Sequence, residues 1–132
     1  MENPPTIGGA GRPRLRAASA ESLNGAASAR ITSALVSLRK RYTGKGPPRA
    51  RTYMVEDLVV CVSSEWLTVQ EKNLRDIGKE EQVRHVREWI HRRMRQEAVR
   101  AVESITGRRV GSLMSQLDVD RDLQIDSFLL EP

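Results

Sequence analysis

The sequence predicts an α+β domain in which helices pack on an antiparallel sheet. Two long segments repeat apolar residues at the three- and four-residue steps of a helix face. Two pairs of short extended runs are each joined by a brief polar connection, as in β-hairpins. The predicted order is helix, hairpin, short helix, long helix, hairpin. This segregation of helices from hairpins is typical of α+β domains.

The first helix is predicted to follow an N-terminal tail. Residues 1–20 are rich in proline, glycine, alanine and arginine, so they predict a disordered segment ahead of a single domain at 21–132. Gly44 is expected to end the helix, because Pro47 and Pro48 prevent its continuation. The apolar face of this helix is predicted to contain Leu23, Ala27, Ile31, Leu35, Leu38 and Tyr42.

Residues 51–55 and 58–62 are predicted to form the first hairpin, with Glu56 and Asp57 as its two-residue turn. The second run is apolar on both faces, which is typical of a central strand covered on both sides. A second copy of the chain would supply the second cover, so we expect a homodimer. Cys61 is the single cysteine and lies inside this run, which predicts a buried structural thiol.

The short helix is predicted to start at a capping box, because Thr68 and Glu71 stand three residues apart in TVQE. The long helix is expected from about Lys79 to Thr106, with Gly107 at its end. Its buried stripe is predicted to be Val83, Val86, Ile90, Met94, Ala98, Val102 and Ile105. Its opposite face is expected to be solvated and carries Arg84, Glu88, Arg92, Arg93 and Glu97.

Residues 110–117 and 123–130 are predicted to form the closing hairpin, with side chains alternating between the two faces. The connection, 118–122, has an aspartate at every second position and imitates the start of a calcium loop. Leu123 and Leu129 stand where such a loop needs a glycine and a bidentate glutamate. We therefore interpret the connection as a polar turn.

No arrangement of residues predicts catalysis, a cofactor or a metal ion. The chain lacks a nucleophile motif, a dinucleotide fingerprint and a distinctive pair of carboxylates. His85 and His91 are six residues apart on the long helix, which turns them about 120° from each other. They therefore do not share a metal ion, and both are expected to be exposed. We expect a non-enzymatic protein.

The stretch Gly44-Lys45-Gly46 is not a phosphate-binding loop. It is followed by proline instead of serine or threonine, and it lies after a helix instead of before one. Prolines also lack the backbone N–H groups that bind phosphate. The residues proposed for contact with an anion or a partner are Lys45, Arg49, Arg51 and Asp57.

The net charge of +5 is concentrated in the first part of the chain. Residues 1–50 hold nine Lys/Arg and two Asp/Glu, whereas residues 51–132 hold thirteen and fifteen. This asymmetry makes a nucleic-acid-binding module an alternative hypothesis, but five aromatic residues offer little material for base stacking, so nucleic acid is disfavoured. The basic residues available for it are Arg12, Arg14, Arg16, Arg39, Lys40, Arg41 and Lys45.

Localisation is predicted from hydropathy. No apolar run approaches the roughly 20 residues of a membrane-spanning helix, and the N-terminus lacks the apolar segment of a signal peptide. We therefore expect a cytoplasmic protein without direct membrane insertion. If the protein takes part in a membrane process, we expect it to do so by docking.

Several segments together resemble the MpsC-like family of small bacterial proteins, which includes the YbcI type. They are ITSALVSLRKRYTGKGPPRARTYMVEDLVVCV, EWLTVQEKNL and ITGRRVGSLMSQLDVDRDLQIDSFLLEP, and the resemblance covers residues 23–132. It implies a Na⁺-translocating, membrane-potential-generating system linked with inorganic-carbon uptake or cation transport. In such a system this chain would be an accessory or regulatory protein, peripheral to the membrane and docked on membrane-protein subunits.

A third hypothesis remains beside docking and nucleic-acid binding. A small-molecule sensor, or an enzyme of unknown reaction, would place its site between the hairpins and helices, near Arg49, Arg51 and Asp57.

Overall fold

The fold consists of three helices and one four-stranded sheet. The computed structural model describes the backbone of residues 12–45 and 49–132, and the side chains of residues 24–45 and 49–132. The elements are α1 (Arg12–Thr43), β1 (Arg49–Val55), β2 (Leu58–Ser64), α2 (Val69–Asp76), α3 (Glu80–Thr106), β3 (Val110–Asp118) and β4 (Leu123–Leu130). The predicted α+β class and element order are confirmed.

Helix α1 begins at Arg12, inside the segment 1–20 that the sequence predicted as a tail. Residues 1–11 of that segment lie outside the described residues, and the domain boundary at residue 20 stays a prediction. The apolar stripe is confirmed at Ile31, Leu35 and Leu38, which are buried, whereas the side chain of Leu23 lies outside the described residues. The helix ends as predicted: Gly44 has a φ of 73°, and its N–H donates to the Lys40 carbonyl at 2.8 Å. Pro47 and Pro48 lie outside the described residues.

The strands form one antiparallel sheet in the order β1-β2-β4-β3. The predicted turn is confirmed, because Val55 pairs with Leu58 and Glu56 takes a positive φ of 53° between them. Strand β2 is central, as predicted. Helices α1 and α3 cover one face of the sheet, where Val59 and Phe128 are buried.

The opposite face of the sheet has no cover within the described part of the chain. Tyr53, Val55 and Met114 lie on it and are exposed by 49%, 64% and 61%. The second cover that the sequence predicted for β2 would therefore have to come from another molecule.

The capping box of α2 is confirmed. The Glu71 N–H donates to Thr68 Oγ1 at 3.2 Å, and the Thr68 N–H donates to Glu71 Oε1 at 2.9 Å. Helix α3 ends at Gly107, whose φ of 71° allows its N–H to reach the Glu103 carbonyl.

The buried stripe of α3 is confirmed except at Val86. Val86 was predicted to be buried, but it is 52% exposed, and Arg87 is buried instead. The reason is that α2 and the loop before it cover the first half of α3. Arg87 donates to the Trp66 carbonyl of that loop, and its Nη2 lies 2.7 Å from Glu71 Oε1. A guanidinium can satisfy both acceptors at once, which an apolar side chain cannot.

The β3–β4 connection is more than a polar turn. Asp122 is only 8% exposed, and its carboxylate accepts the N–H groups of Trp66 and Leu67. Asp118 accepts from Arg121 instead. In residues 24–45 and 49–132, no group of three or more metal-ligating side chains converges on one point.

Candidate functional site

A charged cluster lies buried between α1 and the sheet. We call Arg39, Ser115, Gln124 and Asp126 the buried polar cluster. Arg39 Nη2 lies 2.8 Å from Asp126 Oδ2, and Arg39 Nη1 donates to Gln124 Oε1 at 2.7 Å. The other carboxylate oxygen, Asp126 Oδ1, accepts from Ser115 Oγ at 2.6 Å and from Gln124 Nε2 at 3.0 Å. Both oxygens are therefore satisfied without water.

The fold brings these residues together from three elements. Arg39 follows Leu35 by one helical turn on the buried side of α1, and its guanidinium lies over the Trp66 ring at 5.3 Å. Gln124 and Asp126 alternate along the helix-covered face of β4 with the buried Phe128. Arg39, Gln124 and Asp126 are buried in the core, and Ser115 lies at the exposed edge of the cluster, so its first effect is to fix how α1 sits on the sheet.

A basic cleft opens beside the buried polar cluster, between α3 and the β3–β4 hairpin. Its volume is about 540 Å³, and Ser115 and Gln124 form part of its lining. We call it the arginine cleft, because α3 contributes four guanidinium groups to its wall. The α3 residues that line it are Arg84, Arg87, Glu88, His91, Arg92 and Arg95.

Two of the arginines are tied across the cleft to strand β3. Arg84 Nη1 donates to the Leu117 carbonyl at 3.0 Å, and Arg95 Nη2 donates to the Leu113 carbonyl at 2.8 Å. Each of these bonds uses one of the five donors of a guanidinium, so further donors remain available in both groups. The cleft is therefore bordered by guanidinium groups that these hydrogen bonds hold in place.

His91 lies where the cleft meets the buried polar cluster. Its two ring nitrogens are buried and have no hydrogen-bond partner among the described residues. The same side chain borders a small internal void shared with Arg39 and Asp126. The prediction that both histidines are exposed is confirmed for His85 and wrong for His91. His91 is not exposed because it packs against β3 and β4, and the periodicity of the helix does not show this packing.

Burial also sets the protonation of this histidine. Desolvation lowers the pKa of His91 below its ordinary value of 6.5, with Arg39 and Arg95 acting in the same direction and Asp126 opposing them. The imidazole is therefore neutral at pH 7. A neutral ring offers one donor and one acceptor, and neither has a partner among the described residues.

This shift predicts how stability depends on pH. Below pH 6.5 the unfolded chain takes up a proton on His91 more readily than the folded chain does, so stability falls as the pH falls through this range. Above pH 6.5 this contribution is constant. We expect His91→Asn to reduce the loss of stability between pH 7.5 and pH 5.5 in urea unfolding. His85→Asn is the matched control, and a similar reduction there would contradict the assignment.

The residues proposed from sequence for anion or partner contact do not form one site. Lys45 Nζ donates to the Leu67 carbonyl at 3.1 Å. Arg49 Nε lies 3.1 Å from Glu65 Oε2, in a pair that is largely exposed. Arg51 lies over the Tyr53 ring on the uncovered face of the sheet.

Asp57 is at the far end of the same hairpin, where its carboxylate accepts from Arg108 Nη2 at 2.6 Å. The structure thus divides the four residues between the two ends of the hairpin. Their contact with an anion or a partner stays a prediction.

The basic residues of the nucleic-acid hypothesis are also dispersed. Arg39 is 7% exposed and held by Asp126, so it cannot contact a phosphate backbone, and that part of the hypothesis is wrong. Arg41 remains exposed and pairs with Glu97 at 3.1 Å. The side chains of residues 12–23 lie outside the described part of the chain.

A signal for the arginine cleft was present in the sequence. The residues at 84, 88, 91 and 95 follow steps of four, three and four, which places them on one side of α3. Because exposed charged faces also show this period, the spacing alone did not distinguish a cleft from a solvated surface. Only the position of β3 makes that distinction.

Comparison with known proteins gives one match. The family model described as "Na+-translocating membrane potential-generating system (MpsC)" matches residues 24–132, which include the buried polar cluster and the arginine cleft. No curated protein and no solved structure matches the chain. Over the part of the chain that the structure describes, no helix has the length and apolar character needed to cross a bilayer.

Proposed function

The chain belongs to the MpsC family, and on that premise we propose that it serves a Na⁺-translocating, membrane-potential-generating system as a non-enzymatic accessory component. It acts by self-association and by docking of the assembled copies. The observation that carries the self-association is the uncovered apolar face of the sheet, and the docking rests on the family match. A four-stranded sheet with one face packed on helices and an apolar opposite face is suited to bind a second apolar surface.

We call this surface the open sheet face. The strand registers place its side chains on one side, since Tyr53 pairs with Val60, Leu58 with Leu129, and Val62 with Ile125. Arg51 and Ser127 share this side of the sheet, but most of its side chains are apolar, and soluble monomers seldom expose so many together. Its apolar members are Tyr53, Val55, Leu58, Val60, Val62, Met114, Ile125 and Leu129.

A second copy of the chain is the occupant that we propose. Two such faces are alike in shape and chemistry, as a two-fold interface requires. Four strands spaced about 4.8 Å apart and about 24 Å long present roughly 450 Å² per copy. Two copies would bury roughly 900 Å², which lies just below the lower size limit of specific interfaces, about 1,000 Å². The resulting homodimer would then dock on membrane-protein subunits of the system.

Lysine substitutions on the open sheet face test this dimer. We expect the wild-type chain to have the mass of two chains in light scattering, and the double variant Ile125→Lys/Leu129→Lys the mass of one. Both side chains are partly exposed in the isolated chain, at 38% and 47%, so lysine is tolerated there. Burying two unpaired charges at the interface should weaken dimerisation by about 100-fold or more.

The matched control is Trp89→Lys. Trp89 is 72% exposed on α3, away from the open sheet face, so this variant should remain a dimer. A wild-type mass of one chain at high protein concentration would contradict the self-association. A dimer that survives the double lysine variant would place the interface elsewhere.

The role in the membrane system needs a test in the host cell. Deletion of the gene should lower the membrane potential reported by a potential-sensitive dye and impair bicarbonate-dependent growth. The wild-type gene and the Trp89→Lys variant should restore both, and the double lysine variant should not. Unchanged potential and growth after deletion would count against the proposed function.

A further inference from the structure

The arginine cleft has the size, charge and donors of a binding site that docking through the open sheet face does not use. We propose that it binds a small phosphorylated molecule, of a size up to a mononucleotide. The cleft lies on the helix-covered side of the sheet, so its ligand and the partner on the open sheet face would bind independently. Its volume of about 540 Å³ is within the range of small-molecule sites.

The charge of the cleft favours an anion. Four guanidinium groups line it against the single carboxylate of Glu88. Glu71 pairs with Arg87, and Glu81 lies 3.5 Å from Arg84, whereas Arg92 and Arg95 form no salt bridge within the described side chains. A phosphate monoester carries a charge of about −1.5 to −2 at pH 7 and offers three strong acceptor oxygens, so it can accept from both of these guanidinium groups.

The donors of the cleft are held in position before any ligand arrives. The bond from Arg95 to the Leu113 carbonyl fixes one guanidinium against β3, and the bond from Arg84 to Leu117 fixes another. Arg92 lies one residue after His91 and three before Arg95, so its side chain projects from the same stretch of α3. Positioned guanidinium groups lose little conformational freedom when they bind phosphate.

Unsatisfied donors lie at the base of the same cleft. Both ring nitrogens of His91 and Nε of Arg87 are buried without a hydrogen-bond partner among residues 24–45 and 49–132. Buried polar atoms in native proteins are nearly always hydrogen-bonded, so their clustering on one cleft wall points to a polar ligand. His91 also lines the cleft, so a bound phosphate would lie close to its ring.

The geometry disfavours other classes of ligand. The arginines repel a free cation, and the cleft is concave and bounded by β3, whereas a nucleic-acid strand needs an extended groove with stacking platforms. Leu117 and the stem of Arg84 supply apolar wall for the non-phosphate part of the molecule.

Calorimetric titration of the full-length chain tests the site with three probes: inorganic phosphate, adenosine monophosphate and succinate. We expect both phosphate probes to bind, with the nucleotide tighter, and succinate to bind at least 10-fold more weakly. Arg92→Gln and Arg95→Gln should each weaken phosphate binding by about 10–100-fold, because each removes a charge-assisted hydrogen bond. Both positions are exposed, and thermal unfolding checks that the variants fold.

Arg93→Gln is the matched control, because this neighbouring residue is exposed and does not line the cleft. It should leave the affinity unchanged. Equal losses at 92, 93 and 95 would mean that binding is non-specific attraction to a basic surface, and would overturn the proposal. If neither phosphate probe binds at millimolar concentration, the proposal is also overturned.

A second measurement locates the ligand. In NMR spectra, phosphate should shift the ring resonances of His91 and leave those of His85 unchanged. Shifts at neither histidine, or equal shifts at both, contradict the proposed site. Binding of succinate alone, or of an oligonucleotide in preference to the small probes, would reject the phosphorylated small molecule as the ligand class.

Discussion

Replacement of Arg39 by methionine is expected to lower the free energy of unfolding by about 3–5 kcal/mol, which is the typical effect of breaking a buried ion pair. Asp126 is 4% exposed and would keep only Ser115 and Gln124 as partners. Two neutral donors do not compensate a carboxylate removed from water. The cation–π contact with Trp66 would also be lost. Urea unfolding at pH 7 measures the change.

Two control variants separate the buried charge from loss of an arginine in general. Arg41→Met removes a neighbouring guanidinium whose side chain is 66% exposed, and it should cost less than about 1 kcal/mol. The double variant Arg39→Met/Asp126→Leu should recover much of the lost stability, because no unpaired charge remains. If Arg39→Met costs no more than Arg41→Met, the ion pair does not stabilise the packing of α1 on the sheet.

Apart from the start of α1, the extents of the helices and hairpins could be predicted because their signals are local. Gly44 and Gly107 end their helices through a positive φ, and Thr68 begins α2 through a reciprocal cap. The turn at Glu56 was fixed by a two-residue gap between apolar runs. The pairing of β2 with β4 had no local signal, since it joins segments about 65 residues apart.

The buried polar cluster could not be predicted, because its residues on α1 and its residues on β4 each fit the usual pattern of an exposed segment. Arg39 lies in the basic last turns of α1, where positive charge favours the helix dipole. Gln124 and Asp126 fit an alternating strand whose polar side would normally face water. They face the helices instead, and only the contact between α1 and β4 shows that their charges are complementary.

The same reasoning explains the arginine cleft. A helix with arginines at three- and four-residue spacing is usually solvated, and α3 is solvated at Trp89 and Arg93. The hairpin β3–β4 turns one side of it into a cleft by bringing the carbonyls of Leu113 and Leu117 to the guanidinium groups. Contacts between segments so far apart in the chain do not affect the spacing of residues along α3, so the sequence of α3 does not show them.

Replacement of Asp122 by alanine is expected to lower the free energy of unfolding by about 3 kcal/mol. Its Oδ1 accepts the Trp66 N–H at 3.0 Å, and its Oδ2 accepts the Leu67 N–H at 3.1 Å. Trp66 is 2% exposed and Leu67 is fully buried, so neither N–H could turn to water, and each unpaired donor costs about 1–3 kcal/mol. Asp122 also has a φ of 50°, which alanine adopts less readily than aspartate.

Asparagine and glycine at the same position separate these two causes. Asp122→Asn keeps one acceptor oxygen and tolerates the positive φ, so it should cost the least, about 1 kcal/mol. Asp122→Gly relieves the backbone but leaves both N–H groups unpaired, so it should fall between asparagine and alanine. Amide exchange at Trp66 and Leu67 should accelerate in the glycine and alanine variants alike. A glycine variant as stable as the wild type would show that backbone strain, and not the two hydrogen bonds, determines the cost at this turn.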